Sequence, residues 1–154
     1  MTLEIKGLDE IMKRWGKPIR PALQAASVAL AEALRDVVSP YPGETSANRP
    51  PSGTGTYYVR GRGLMYKGKS GARLVRSSQT LGRKWRHRAH GSTDAILTNT
   101  ADYSGYAHGS DNRKQARAME RIGWVSTDDG MKRLQRQGIA ERLYTKALLR
   151  HLEG

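Results

Sequence analysis

The chain has 154 residues, no cysteine, no phenylalanine, and 27 Lys and Arg against 14 Asp and Glu, a formal net charge of +13. That length suits one domain, and the missing cysteines exclude disulfides, thiolate chemistry and Cys-ligated zinc. The longest apolar stretch, within Pro21 to Val38, is broken by Gln24, Glu32, Arg35 and Asp36, too polar a pattern to span a membrane.

The first segment carries Leu3, Ile5 and Leu8, then Leu8, Ile11, Met12 and Trp15 at helical spacing, punctuated by Gly16 and Pro18. It has no apolar signal core, so synthesis in the cytoplasm is expected. Ile19, Leu23, Ala26, Leu30, Ala33/Leu34 and Val37 then recur every three or four residues and predict a long helix with one buried stripe. Pro18 and Pro21 fall in its first turn, where a missing N–H costs little, and Ser39-Pro40-Tyr41-Pro42-Gly43 stops it.

From Glu44 to Lys69 the chain is rich in Pro, Gly and Ser, and only Thr56-Tyr57-Tyr58-Val59 resembles a strand. Residues 40–73 are expected to form an extended basic arm or loose hairpin, turning near Gly61 to Gly63 or Lys67 to Gly71. A β-layer is predicted next, from Leu74 to Ser78, Lys84 to His90 and Ala95 to Thr100, with Gly91-Ser92-Thr93-Asp94 as the turn between the last two. Alternation puts Trp85, His87 and Ala89 on one face of the middle run, and Arg86 and Arg88 on the other. Asp111 to Glu120 reads as a short polar helix, followed by an apolar Ile122-Gly123-Trp124-Val125. Ser126-Thr127-Asp128-Asp129 resembles an N-cap, and Gly138 is expected to divide the remaining stripe, leaving a C-terminal helix of about Ile139 to His151. The whole, residues 1–154, predicts a single α+β domain. A long N-terminal helix and a C-terminal helix pack on a small antiparallel sheet, and the basic arm extends from it.

Little in the sequence suggests catalysis. There is no Gly-x-Ser-x-Gly elbow and no phosphate-binding loop, and the acids are mostly solitary. His87 and His90 would point to opposite faces of a strand, poor geometry for sharing one metal. No enzyme is expected, and no catalytic, cofactor-binding or metal-binding residue is assigned.

Charge distribution is more informative. No acid occurs between Glu44 and Asp94, while eleven Lys and Arg do. Such a block can meet nucleic acid, through phosphate contacts with Tyr57, Tyr58, Tyr66 and Trp85 interleaved for stacking. It can equally match acids on a neighbouring subunit, and the extended, proline-rich setting favours that reading. The candidate contact residues are Arg60, Arg62, Lys67, Lys69, Arg73, Lys84, Arg86 and Arg88.

The stretch Ala95 to Gly109, AILTNTADYSGYAHG, stops a β-run at Asn99 and turns through Asp102 into two tyrosines three apart. That spacing puts Tyr103 and Tyr106 on one side of a helical turn, as core or interface anchors. Asn99 and Asp102 suit the turn itself, because their side chains bond nearby backbone. Trp85 and Trp124 complete the set of expected anchors.

These residues carry a resemblance. Gly7-Leu8-Asp9 precedes a long helix, a proline-bearing basic loop, Gln79 to Trp85, Asn99-Thr-Ala-Asp-Tyr103 with Tyr106-Ala-His-Gly109, and a C-terminal helix. This order resembles the minor tail-component family of long-tailed bacteriophages, the neck or tail-completion proteins. Asn99, Ala101, Tyr103, Tyr106 and Gly109 match its Asn-x-Ala-x-Tyr-Ala-like turn. Ser104 stands where many members carry Ala, and a longer Pro40–Gly71 region replaces a compact Pro-x-x-Thr-Gly-x-Leu passage. The resemblance implies a non-enzymatic virion protein, made in the host cytoplasm, at the junction of head connector and tail tube. It further implies a homo-oligomeric ring, a hexamer by analogy, touching head-closure, tail-terminator or tail-tube proteins and incidentally packaged DNA. The alternative is a basic nucleic-acid-binding module of ribosomal or architectural type.

Overall fold

The structure, a computed structural model, describes residues 19–43, 48–59, 62–77, 79–110 and 113–153. Its longest helix, α1 (Arg20–Val38), begins with Pro21 in the first turn and ends where the Ser39 N–H donates to the Arg35 carbonyl at 2.8 Å, just before Pro40. Ala22, Leu23, Ala26, Leu30, Ala31, Leu34 and Val38 are buried, one stripe at the 3.6-residue period. Each buried leucine of that stripe stabilises the fold by roughly 1.5–3 kcal/mol.

The stripe covers a two-stranded hairpin, β4 (Trp85–His90) and β5 (Asp94–Asn99), and the C-terminal helix α6 (Ile139–Glu153). The hairpin turns at residues 91–93, and its register runs from Trp85 opposite Asn99 to His90 opposite Asp94. Polar pins fix α1 to both partners. Gln24 Nε2 donates to the Gly91 carbonyl at 2.7 Å, and Ser27 Oγ donates to the Thr93 carbonyl at 2.6 Å. With its one proton on Thr93, Ser27 accepts from the Tyr144 hydroxyl of α6 at 2.8 Å.

A second sheet, an antiparallel meander, is formed by β1 (Gly55–Val59), β2 (Gly63–Gly68) and β3 (Gly71–Ser77). Residues 55–59, 63–68 and 71–73 of the expected arm are therefore strand, and both suggested turn regions are used. The run from Leu74, expected beside Lys84–His90, pairs instead with β2, so there are two small sheets where one β-layer was predicted. The reason is local. A two-residue connection, Lys69-Ser70, brings Gly71 back opposite Gly68, so β3 zips onto its immediate predecessor at little loop-closure cost. The architecture is α+β, with helices and antiparallel sheets of three and two strands.

Four shorter helices complete the chain: α2 (Gln79–Arg83), α3 (Ser104–His108), α4 (Arg117–Ile122) and α5 (Thr127–Arg136). The expected cap is present, since Ser126 Oγ accepts from the Asp129 N–H at 3.0 Å while Asp128 and Asp129 sit in the first turn of α5. Gly138, at φ +63°, turns the chain between α5 and α6, a conformation that favours glycine. The amphipathic segment from Leu8 to Trp15 lies outside the described residues.

Two apolar clusters make the core. One gathers Tyr58, Leu81, Ala101, Ala107, Ile122 and Trp124; the other gathers Leu30, Leu34, Val38, Trp85 and Leu134. His108 joins them, its ring edge-on to Trp85 at 4.9 Å and to Trp124 at 5.2 Å.

Candidate functional site

Strand β3 has an exposure pattern that a finished sheet would not show. Arg73, Leu74, Val75 and Arg76 are consecutive and all exposed, so both faces of the strand meet solvent. Leu74 and Val75 are each 52% accessible. Its inner edge pairs with β2, and among the described residues no strand pairs with its outer edge. Cations flank the apolar pair: the Arg73 guanidinium lies 5.6 Å from the centre of the Tyr66 ring, and that of Arg76 lies 4.6 Å from the Tyr103 ring. A long apolar edge carrying positive charge is a template for strand addition from another chain.

The remaining candidate cations fall on two supports. Arg62 and Lys69 are exposed at the ends of β2, and half-buried Lys67 donates Nζ to the Pro51 carbonyl at 2.9 Å. Lys84 precedes β4, where Arg86 and Arg88 are exposed opposite buried Trp85. Arg86 is held over the strand entry, donating Nη1 to the carbonyls of Arg83 and Trp85 at 3.0 and 2.9 Å. Arg60 lies outside the described residues. The stacking platform expected for nucleic acid is not assembled: Tyr57, Tyr58 and Trp85 are buried, which leaves only half-buried Tyr66 on that surface.

The segment after β5 is organised by Asn99. Its Oδ1 accepts from the Ala101 N–H at 2.9 Å, and its Nδ2 donates to the Leu81 carbonyl at 2.8 Å. Asp102, expected to share this task, is exposed instead, because Asn99 already bonds the turn from its strand side. Asn99→Ala would leave two part-buried backbone groups unpaired, and a loss of about 1–3 kcal/mol is expected in urea denaturation. The tyrosines diverge as well. Tyr103 (φ −103°, ψ 9°) caps α3 rather than lying in it, so helical spacing does not align the rings. Its hydroxyl donates to the Ser77 carbonyl at 2.7 Å beneath the core cluster, while Tyr106 is exposed under the Arg113 guanidinium at 4.8 Å.

On another part of the molecule a groove of about 830 Å³ runs along β5. All six residues of β5 line it, from both faces of the strand, so the groove follows the edge that β4 leaves open. Leu30 and Leu34 of α1 and Met131 of α5 supply apolar walls, and Asp94 and Asp128 supply carboxylates. Among the described residues no Lys or Arg lines it.

Trp85 and His108 also stand in the wall of this groove. His108 is 1% accessible, and its Nδ1 lies 2.8 Å from the Val125 carbonyl, which makes Nδ1 the protonated nitrogen of the neutral ring. Its Nε2 and Trp85 Nε1 are buried without hydrogen-bond partners among the described residues, one an acceptor and the other a donor. Gln115 fastens the same region, donating Nε2 to the carbonyls of Ala107 at 2.7 Å and Trp124 at 2.6 Å. Neither His108 nor Gln115 was singled out by pattern. Both sit in short polar contexts, and only the fold brings them under two tryptophans.

Burial pushes the His108 pKa below the ordinary imidazole value, and the Val125 carbonyl only partly offsets this. The unfolded chain takes up the proton near pH 6.5 while the folded chain does not, so stability falls as pH drops below about 6.5. His108→Gln is expected to flatten that dependence between pH 8 and 5 in denaturant titrations. Parallel slopes for the two proteins would contradict it.

Among the described residues no group of three or more His, Cys, Asp or Glu could hold a metal ion, and no helix is long and apolar enough to cross a membrane. Comparison with protein-family profiles, curated proteins and solved structures returns no match for the chain.

Proposed function

We propose that this chain is a structural part of a bacteriophage neck or tail, which assembles with copies of itself into a ring and seats other neck or tail proteins on its basic meander. The observation that carries the reading is β3, a strand with an unpaired edge, two exposed apolar residues and flanking arginines. Such a strand is an aggregation hazard unless an assembly covers it. Support also comes from the turn at Asn99 to Gly109, where the residues that resemble the minor tail-component family form a pinned, partly buried unit. In a closed ring each subunit presents one patch to a different patch on the next, so a protruding strand and a receiving surface on one chain suit that geometry. Head-closure, tail-terminator and tail-tube proteins are the expected neighbours, and six subunits the expected number by analogy.

Deleting the gene tests this by electron microscopy of lysates. Filled heads and tails that fail to join, or tails that fail to mature, are the expected result, restored by the gene in trans. Normal infectious particles would overturn it. The cation density favours one rival, a nucleic-acid-binding module. Duplex DNA titrated over a salt series separates the two: tight association with a steep salt slope, persisting near physiological ionic strength, belongs to that rival.

A further inference from the structure

Among the described residues two strand edges without a partner, those of β3 and β5, have matching length and opposite charge. β3 spans seven residues and β5 six, about 20–23 Å each. β3 carries Arg73 and Arg76 and no acid; the groove along β5 carries Asp94 and Asp128 and, among the described residues, neither Lys nor Arg. Leu74 and Val75 stand exposed on one strand, while Leu30, Leu34 and Met131 line the space beside the other. Within one copy the two strands belong to separate sheets.

We infer that the groove along β5 receives β3 of a second copy of this chain. The strand adds to the open edge of β5, and the meander of one protomer and the hairpin of the next become one five-stranded sheet. The contact is heterologous, head to tail, and so propagates around a ring. Backbone hydrogen bonds supply the register-independent attraction. The Asp94 and Asp128 carboxylates select a cationic strand, and Leu74 and Val75 fill the apolar walls. The inserted backbone also brings a carbonyl and an N–H to the wall holding the unpartnered Trp85 Nε1–H and His108 Nε2. This inference rests on the proposal that copies assemble with one another.

The absence of cysteine makes a direct test simple. Single-cysteine proteins Leu74→Cys and Val75→Cys are each mixed with Ile96→Cys or Thr98→Cys and mildly oxidised; mixing excludes linkage within one chain. Leu74 and Val75 lie on opposite faces of β3, so in any register one of them shares a face with Ile96 and Thr98, which lie on the same face of β5 and sample two positions along it. Circular dichroism first establishes that every variant is folded. Mixed dimers are expected in about tenfold excess over a control pairing of Val75→Cys with Lys146→Cys at an exposed position of α6. Adding Arg73→Glu and Arg76→Glu to the β3 protein is expected to remove that excess, and Asp94→Lys with Asp128→Lys on the groove protein to restore it. Yields no greater than the control, or Val75→Cys linking mainly to itself, would overturn the inference. The virion reading is scored separately, from whether phage particles contain the chain. Particles that contain it without this cross-link remove only the groove contact, and particles that lack it remove the neck assignment whatever the cross-link shows.

Discussion

Trp124→Ala is expected to lower stability by about 3–5 kcal/mol, a large part of the roughly 5–15 kcal/mol that holds such a domain together. The residue is buried, and its ring meets three others edge-on: Tyr41 and Tyr58 at 5.8 Å and His108 at 5.2 Å. Each such pair contributes about 0.5–1.5 kcal/mol beyond its buried area. Those partners come from the passage after α1, from β1 and from α3, so one truncation loosens the meander, the Asn99 turn and the joint between the two clusters together. Trp124→Phe keeps part of the contact and should lose less than half as much. Equilibrium unfolding in urea checks both, and a loss below about 1 kcal/mol for the alanine variant would show that the clusters do not depend on this ring.

Gly130→Val should have an effect of similar size by the opposite route, excess volume. Gly130 is where α5 approaches α1: a Cβ placed there would lie 2.8 Å from Leu34 Cδ1 and 3.0 Å from Val38 Cγ1. Both neighbours are buried in the stripe of α1, so neither can swing into solvent. Glycine is poor in a helix by about 1 kcal/mol relative to alanine, and close packing here outweighs that propensity. Gly130→Ala is therefore expected to be destabilising despite the propensity gain, and Gly130→Val to cost about 3 kcal/mol. Because α5 carries Asp128 and Met131 into the groove, the valine variant should also lose cross-linking to Val75→Cys. A melting temperature equal to that of the parent would contradict this packing argument.

The long helix, the β4–β5 hairpin, the Ser126 cap and the break at Gly138 were legible because each follows from short-range rules. These are a 3.6-residue stripe, a short turn opened by Gly91, a hydroxyl before two acids, and a left-handed glycine. The meander was harder to see. Tyr57 and Tyr58 are adjacent and both buried, so β1 lacks alternation, and β3 shows none because all of Arg73 to Arg76 faces solvent. A strand with both faces in solvent has no core-facing pattern to display. The candidate site divided in the same way. Cation density marked residues 60–88 as a contact surface, yet the groove is built from α1, β5, α3 and α5, whose meeting is a long-range result. His108 was hidden for that reason. A histidine between Ala107 and Gly109 shows no sign of two tryptophans that approach from 23 residues before it and 16 after.

The most direct measurement is quantitative mass spectrometry of gradient-purified infectious particles, with isotope-labelled peptides from this chain as standards and the portal protein as internal reference. A small fixed number of copies per particle, about six if the family analogy extends to stoichiometry, is the expected result. Infectious particles without this polypeptide would contradict its assignment to the neck or tail.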